Sequence, residues 1–324
     1  IKLLKIDPTL NWEIAEIKFI SENNIKFKIL NGVENVISVQ KLKWTIPNKK
    51  TIFDKFEVGD IIFVKKEKNY WDLKQYPKVN GGIVAIDPYT GDVKALVGGF
   101  NFKSSEFNRV TQAKRQPGSA FKPIVYLPAV EAGMKPDTIV LDAPITVDGW
   151  SPRNFSGRFY GKVSLLEAVA RSINTTAVRV AEDIGRDNVL KAARRLGITS
   201  ELTSHPSLSL GTGEVTLLEL TAAYAVFANG GRAVLPYGLV EVRSGKQRLY
   251  HRRKLSGHQV INPKYVDVME TLLRAVIQKG TGRAAKFGYM AAGKSGTSQQ
   301  SRDAWFIGYT DKLVTGVWLG NDNN

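Results

Sequence analysis

The sequence predicts an α+β protein, with an antiparallel sheet sandwiched by helices, a helical subdomain and a small all-β unit ahead of both. Three observations carry that prediction. Strand-like runs stand at both ends of residues 79–324 and would close into one sheet. Capping-box signals start helices between those runs. Residues 1–78 contain only short apolar runs and no arginine; the first arginine of the 324-residue chain is Arg109. That shift in composition, together with the length, predicts two domains, 1–78 and 79–324.

In the first unit the apolar runs fall at 13–20, 25–30, 36–44 and 61–64, with 70–73 as a possible last strand. Four or five short strands in so small a unit suggest an OB-like barrel. In the second, Gly82-Ile-Val-Ala-Ile86 and Val93-Lys-Ala-Leu-Val97 flank a turn at Asp87-Pro-Tyr-Thr-Gly-Asp92. Pro123 has no N–H and is tolerated only near a helix start, so it pins one close to Ser119. Pro128 predicts a kink further along. Ser164-Leu-Leu-Glu167 and Thr216-Leu-Leu-Glu219 are capping boxes, the second opening a helix that ends at Asn229-Gly-Gly231. Between them, an apolar-periodic segment follows Thr175-Thr176, and Asp187 and Gly197 cap another at 188–196. The chain then returns to strand-like runs at 289–297, 304–309 and 313–319.

Three polar motifs sit on this frame. Ser-x-x-Lys occurs twice, as often as chance expects, at Ser38–Lys41 and Ser119–Lys122. Ser38 lies in a β-branched run, and on a strand an odd separation would put the two side chains on opposite faces. Ser119 and Lys122, at i and i+3 of a helix, are neighbours. Ser172-Ile-Asn174 falls near a helix junction; its decoy, Ser21-Glu-Asn23, reads as a hairpin tip. Lys294-Ser-Gly296 falls in a strand, where Gly293 and Gly296 would admit a substrate backbone to the edge.

These residues suit acyl transfer. Ser119 is the candidate nucleophile and Lys122 its base. Ser172 can relay the proton to the leaving amine, Asn174 can hold a peptide, and Lys294 supplies a second cation. A lysine near pKa 10.4 is no base at neutral pH, so Lys122 needs its pKa lowered by ~3 units. Burial and the charge of Lys294 both act in that direction.

The motif set is that of serine penicillin-recognising enzymes. Arg115-Gln-Pro-Gly-Ser-Ala-Phe-Lys-Pro123 resembles the active-site segment of class A penicillin-binding proteins, as do residues 82–92 and 304–309 around it. The resemblance spans about Val79–Asp322 and is nearest to the 1A type, which carries a small β domain before the transpeptidase fold. It implies the penicilloyl-serine transferase (β-lactamase-like) fold and a D,D-transpeptidase acting on peptidoglycan stem peptides ending in D-Ala-D-Ala. β-Lactams would acylate Ser119. It further implies that Ser295, Gly296 and Thr297 bind substrate, that the Ser119 and Thr297 amides form the oxyanion hole, and that no cofactor is used. Ser295 stands where the family more often has threonine.

The chain opens at Ile1 with no signal peptide or membrane span, so it is expected to be a fragment. The family's glycosyltransferase domain and membrane anchor would lie outside it, with the full protein on the periplasmic face of the inner membrane. The net charge of +16 suits an anionic membrane surface or wall polymer. It also raises a nucleic-acid-binding alternative, which the modest excess of 15 Lys over 10 acidic residues in 1–78 disfavours. A short basic cluster, His251-Arg-Arg-Lys254, follows a hairpin signal at Ser244-Gly245 and reads as solvated surface. A closer alternative is a D,D-carboxypeptidase or β-lactamase. Class A β-lactamases use a glutamate-activated water, for which Glu201, Glu214 and Glu219 read as poor candidates. With no Cys, and with His205, His251 and His258 lacking ligand spacing, no thiol or metal mechanism is expected.

Overall fold

The computed structural model describes residues 7–46, 50–253 and 257–322. The chain divides into two compact units, Ile1–Lys78 and Val79–Asn324.

The first unit is built on strands β1 (Glu13–Ile20), β2 (Asn24–Ile29), β3 (Glu34–Ser38), β4 (Ile61–Lys66) and β5 (Trp71–Lys74), with a short helix α1 (Val39–Leu42). They form one antiparallel sheet in the order β3-β2-β1-β4-β5. In β2 the buried Ile25, Phe27 and Ile29 alternate with exposed Lys26 and Lys28, the period of a half-buried strand. Phe27 lies inside this core, edge-on to Trp71 at 5.5 Å, and is no stacking platform. The 36–44 run is not one strand. It turns helical after Ser38, whose hydroxyl accepts a hydrogen bond from the Gln40 amide at 3.4 Å. Serine satisfies an orphan helix amide better than it extends a strand, and here that preference wins.

The second unit contains β6 (Asn80–Ile86), β7 (Val93–Val97), a 3-10 turn (Gly118–Phe121), α2 (Lys122–Glu131), β8 (Ile139–Asp142) and β9 (Gly161–Ser164). Helices α3 (Leu165–Arg171), α4 (Asn174–Ile184), α5 (Arg186–Arg195) and α6 (Leu217–Ala228) follow. The chain continues through the hairpin β10 (Glu241–Ser244) and β11 (Gln247–His251) to α7 (Pro263–Lys279). Lys254, from the basic cluster, lies outside the described residues. Three strands close the unit: β12 (Ala292–Thr297), β13 (Asp303–Tyr309) and β14 (Val314–Gly320).

Both ends of this unit share one antiparallel sheet in the order β12-β13-β14-β6-β7. Alternate residues of β13 (Trp305, Ile307, Tyr309) are buried in one core with Val84 and Ile86 of β6 and with residues of α6 and α7. Each such side chain contributes about 1.5–3 kcal/mol of burial. The core extends through α2, α3, α4 and α5, which makes the helical subdomain continuous with the sheet.

Thr216 and Glu219 complete the capping box reciprocally at the start of α6. Helix α5 begins two residues early: Gly185, at φ +83°, breaks the chain after α4 and occupies the cap, leaving Asp187 in the first turn. Only glycine reaches that backbone region without strain. Pro123 is the second residue of α2, and Pro128 lies inside that helix.

Candidate active site

The turn bearing Ser119 rests directly on the end of β12. A Cβ on Gly118 (φ +53°) would lie 2.2 Å from the Thr297 carbonyl oxygen, and one on Gly296 would lie 2.2 Å from that of Pro117. One on Gly211 (φ +71°) would lie 2.1 Å from the Gly118 carbonyl oxygen, whose own residue's amide donates to Gly211 O at 3.1 Å. Three glycines therefore let three separate segments meet at Ser119. At Gly293 and Gly296 the Cβ positions face Ile307 O and Pro117 O, so the missing side chains also admit protein backbone. From behind, the buried Tyr224 hydroxyl of α6 donates to Ala120 O at 2.6 Å. Arg115 Nε donates to Asp303 Oδ1 at 2.8 Å, which ties the approach to this turn to the start of β13.

Lys122 follows at the first position of α2, with no solvent exposure. Its Nζ lies within hydrogen-bond distance of Ser172 O (2.7 Å), Asn174 Oδ1 (2.7 Å), Ile173 O (3.2 Å) and Ser172 Oγ (3.3 Å). Lys294, equally buried on β12, donates to the same Ser172 Oγ at 2.9 Å and to Ser295 O at 2.9 Å. One hydroxyl thus bridges two buried amines. Burial, and next the charge of Lys294, hold the Lys122 amine well below the ordinary lysine range. Burial brings Lys294 itself down to about 7, so the expected fixed cation is a group that titrates near neutrality.

Ser172 sits at the C-cap of α3 in the left-handed region, φ +58°. For a residue with a Cβ this costs about 1–3 kcal/mol and marks a constrained position. The conformation turns both the carbonyl and the hydroxyl of one residue to Lys122. Asn174 opens α4, and its Nδ2 donates to Arg153 O at 2.8 Å.

The structure therefore joins Lys122, Ser172, Asn174 and Lys294 by direct hydrogen bonds, with half-buried Ser119 in the adjoining turn. Among the described hydrogen bonds, those of Lys122 Nζ go to the 172–174 segment, not to Ser119. Ser295 Oγ pairs with Thr281 Oγ1 at 2.6 Å, and Thr297 is exposed at the strand end. Sequence reasoning missed Tyr224 and Thr281. Each is distant in sequence from what it touches and carries no local pattern.

The α+β sheet with its helical subdomain is the penicilloyl-serine transferase fold, shared with a penicillin-binding protein 1A from Haemophilus influenzae. That structure superposes with a TM-score of 0.85 at 26% identity, over 98% of this chain and 54% of the other. PonA1 of Mycobacterium tuberculosis, solved in complex with penicillin V, gives 0.69 at 29% identity over 76% of this chain and 70% of that one. Residues 81–320 match the penicillin binding protein transpeptidase domain, and residues 2–79 the penicillin-binding protein OB-like domain. The chain belongs to the penicillin-binding protein transpeptidase family. It is 35% identical to penicillin-binding protein 1A of Rickettsia typhi over 97% of this chain and 44% of that protein. It is 39% identical to the Neisseria meningitidis protein of the same name over 86% of this chain and 37% of the other. The chain thus spans about half the length, or less, of the curated relatives it matches.

Proposed function

We propose that this chain is a serine-type D,D-transpeptidase that cross-links peptidoglycan stem peptides and is acylated by β-lactams. The observation that carries the reading is the Ser172 hydroxyl set between two fully buried lysines, 3.3 and 2.9 Å from their amines. A neutral amine has two N–H groups. If Lys122 gives them to the two acceptors at 2.7 Å, its lone pair remains for a hydroxyl proton.

In this mechanism Ser119 Oγ attacks the penultimate D-Ala carbonyl, and its proton passes to Lys122. The C–N bond breaks as Ser172 Oγ–H delivers a proton to the leaving D-Ala nitrogen and takes in its place the one that Lys122 received from Ser119, with Lys294 holding the Ser172 hydroxyl in position. A stem-peptide amine from a neighbouring strand then resolves the acyl-enzyme. The amides of Ser119 and Thr297 stabilise the oxyanion; that of Ser119 lies in a first turn, where helical N–H groups lack intrahelical partners. Ser295 and Thr297 hold the substrate carboxylate, Asn174 the peptide, and Gly296 keeps β12 close enough to the turn for all of them to converge.

A hydrolase reading gains nothing from the glutamates. Glu201 and Glu214 are exposed, and Glu219 is committed to Thr199, Ser200 and Thr216. A penicilloyl adduct should therefore persist for many minutes. On this reading the protein works at the periplasmic face of the inner membrane. Among the described residues no helix is long and apolar enough to cross a membrane.

Mass spectrometry after incubation with a fluorescent penicillin tests the reading. One adduct on the peptide containing Ser119, lost in Ser119→Ala, is the expected result. Label on another residue, or rapid release of hydrolysed penicillin, would overturn it.

A further inference from the structure

Between β8 and β9 a loop carries Asn154, which is only 7% exposed and uses every valence of its amide. Its Nδ2 donates to Asp142 Oδ1 at 2.7 Å and to Arg158 O at 2.9 Å. Its Oδ1 accepts from the amides of Asn174 at 2.9 Å and Thr175 at 3.3 Å. Those amides open α4, whose own N-cap residue, Ile173, has no side-chain acceptor. A helix start lacking its local cap needs one from elsewhere. Asn154 supplies it from about 20 residues upstream.

Asp142, fully buried, fixes which way the Asn154 amide points. Its carboxylate accepts from Asn154 Nδ2, from Thr175 Oγ1 and from the Tyr160 amide, the last at 2.8 Å. A flipped Asn154 would set its oxygen against two acceptors and its NH₂ against two donors. The neighbouring Arg153 carbonyl accepts from Asn174 Nδ2 at 2.8 Å. Consecutive loop residues thus grip Asn174 by side chain and by backbone. Asn174 in turn is the third of three successive residues whose oxygens surround Lys122 Nζ.

We propose that Asn154, oriented by Asp142, is a positioning residue for acylation: it holds the 172–174 segment in the geometry that keeps Lys122 competent as a base. The proposal rests on the transpeptidase reading above and adds to it a pair that touches neither substrate nor nucleophile. Loss of the grip loosens the first turn of α4 and admits water to Lys122. Because burial is the main cause of that amine's lowered pKa, hydration moves it back up.

The test uses the 324-residue chain and a fluorescent penicillin, separating the binding constant from the acylation rate constant across pH. Asn154→Ala should lower the rate constant at pH 7 by about 10–100-fold, the cost of a small misplacement of a catalytic group. Its binding constant should stay near that of the parent, and the acid limb of its pH profile should move to higher pH. Asn154→Asp keeps the cap but sets two carboxylates face to face, and should be equally slow. Asp142→Asn/Asn154→Asp removes the carboxylate pair, leaving only the Arg158 carbonyl against a carboxylate oxygen, and should recover part of the rate. An Asn154→Ala protein with parental rate and pH profile overturns the proposal. So does a folded double variant no faster than Asn154→Asp, and that pair decides the matter should Asn154→Ala fail to fold. A parent chain that takes no label on Ser119 instead overturns the transpeptidase reading itself.

Discussion

Ser38–Lys41 and Ser119–Lys122 share a spacing, and both serines stand at the start of a helical segment. Ser38 caps a four-residue helix at an exposed position, and exposed Lys41 lies 4.1 Å from the Tyr70 ring centroid in a cation–π contact. Lys122 is fully buried and wrapped by oxygens of 172–174, while β12 brings a second amine. Local structure therefore does not separate the two motifs. What separates them is how many distant segments converge on the lysine and remove it from water. A cation in water keeps its ordinary pKa; one enclosed beside another holds its proton less tightly.

The largest effect that would sharpen this contrast is on the nucleophiles. Ser119→Ala should abolish the penicilloyl adduct seen by mass spectrometry, and Ser38→Ala should leave its yield unchanged. Next come the lysines. Lys122→Ala should slow acylation by about 10²–10⁴-fold, the usual contribution of a general base, whereas Lys41→Ala should leave the stopped-flow rate unaltered.

Backbone substitutions give a smaller contrast. Gly118→Ala places a methyl 2.2 Å from Thr297 O at φ +53°, and should cost more than about 2 kcal/mol in chemical denaturation while also slowing acylation. Gly59→Ala, at φ +99° with nothing within 4 Å, meets only backbone strain of about 1–2 kcal/mol and should leave the chemistry alone.

A further effect is on the pH dependence of stability. Burial lowers Lys294 from the ordinary 10.5 to about 7, so between those values the unfolded chain binds a proton that the folded one does not. Stability should rise with pH through that window and fall as pH drops through about 7. Lys294→Met should therefore melt higher than the parent at pH 6, with the gap narrowing as the pH rises. A gap independent of pH would show that Lys294 is not buried as a titrating amine.

Much of the fold was legible because strands and caps are local. The turn-bounded runs at 82–86 and 93–97 became paired strands, and Thr216-x-x-Glu219 closed its capping box. The 36–44 run was misread because β-branched residues continue past the point where Ser38 starts a helix. At the site, motif spacing identified Lys122, Ser172, Asn174 and Lys294, which the structure brings together. It gave no sign of the Ser172 left-handed turn, since neither glycine nor the tight-turn pattern is there. Nor could it find Tyr224, Thr281 or Asn154. Each acts on a residue at least 14 positions away, and no periodicity records such contacts.

The central claim is that burial and the Lys294 charge hold Lys122 well below the ordinary lysine range, and NMR titration of lysine side-chain nitrogens and ε-carbons tests it directly. The account predicts one lysine titrating well below the ordinary lysine range, absent from the spectrum of Lys122→Met, and a second titrating near 7, absent from Lys294→Met. A spectrum in which every lysine remains charged until about pH 10 would contradict it.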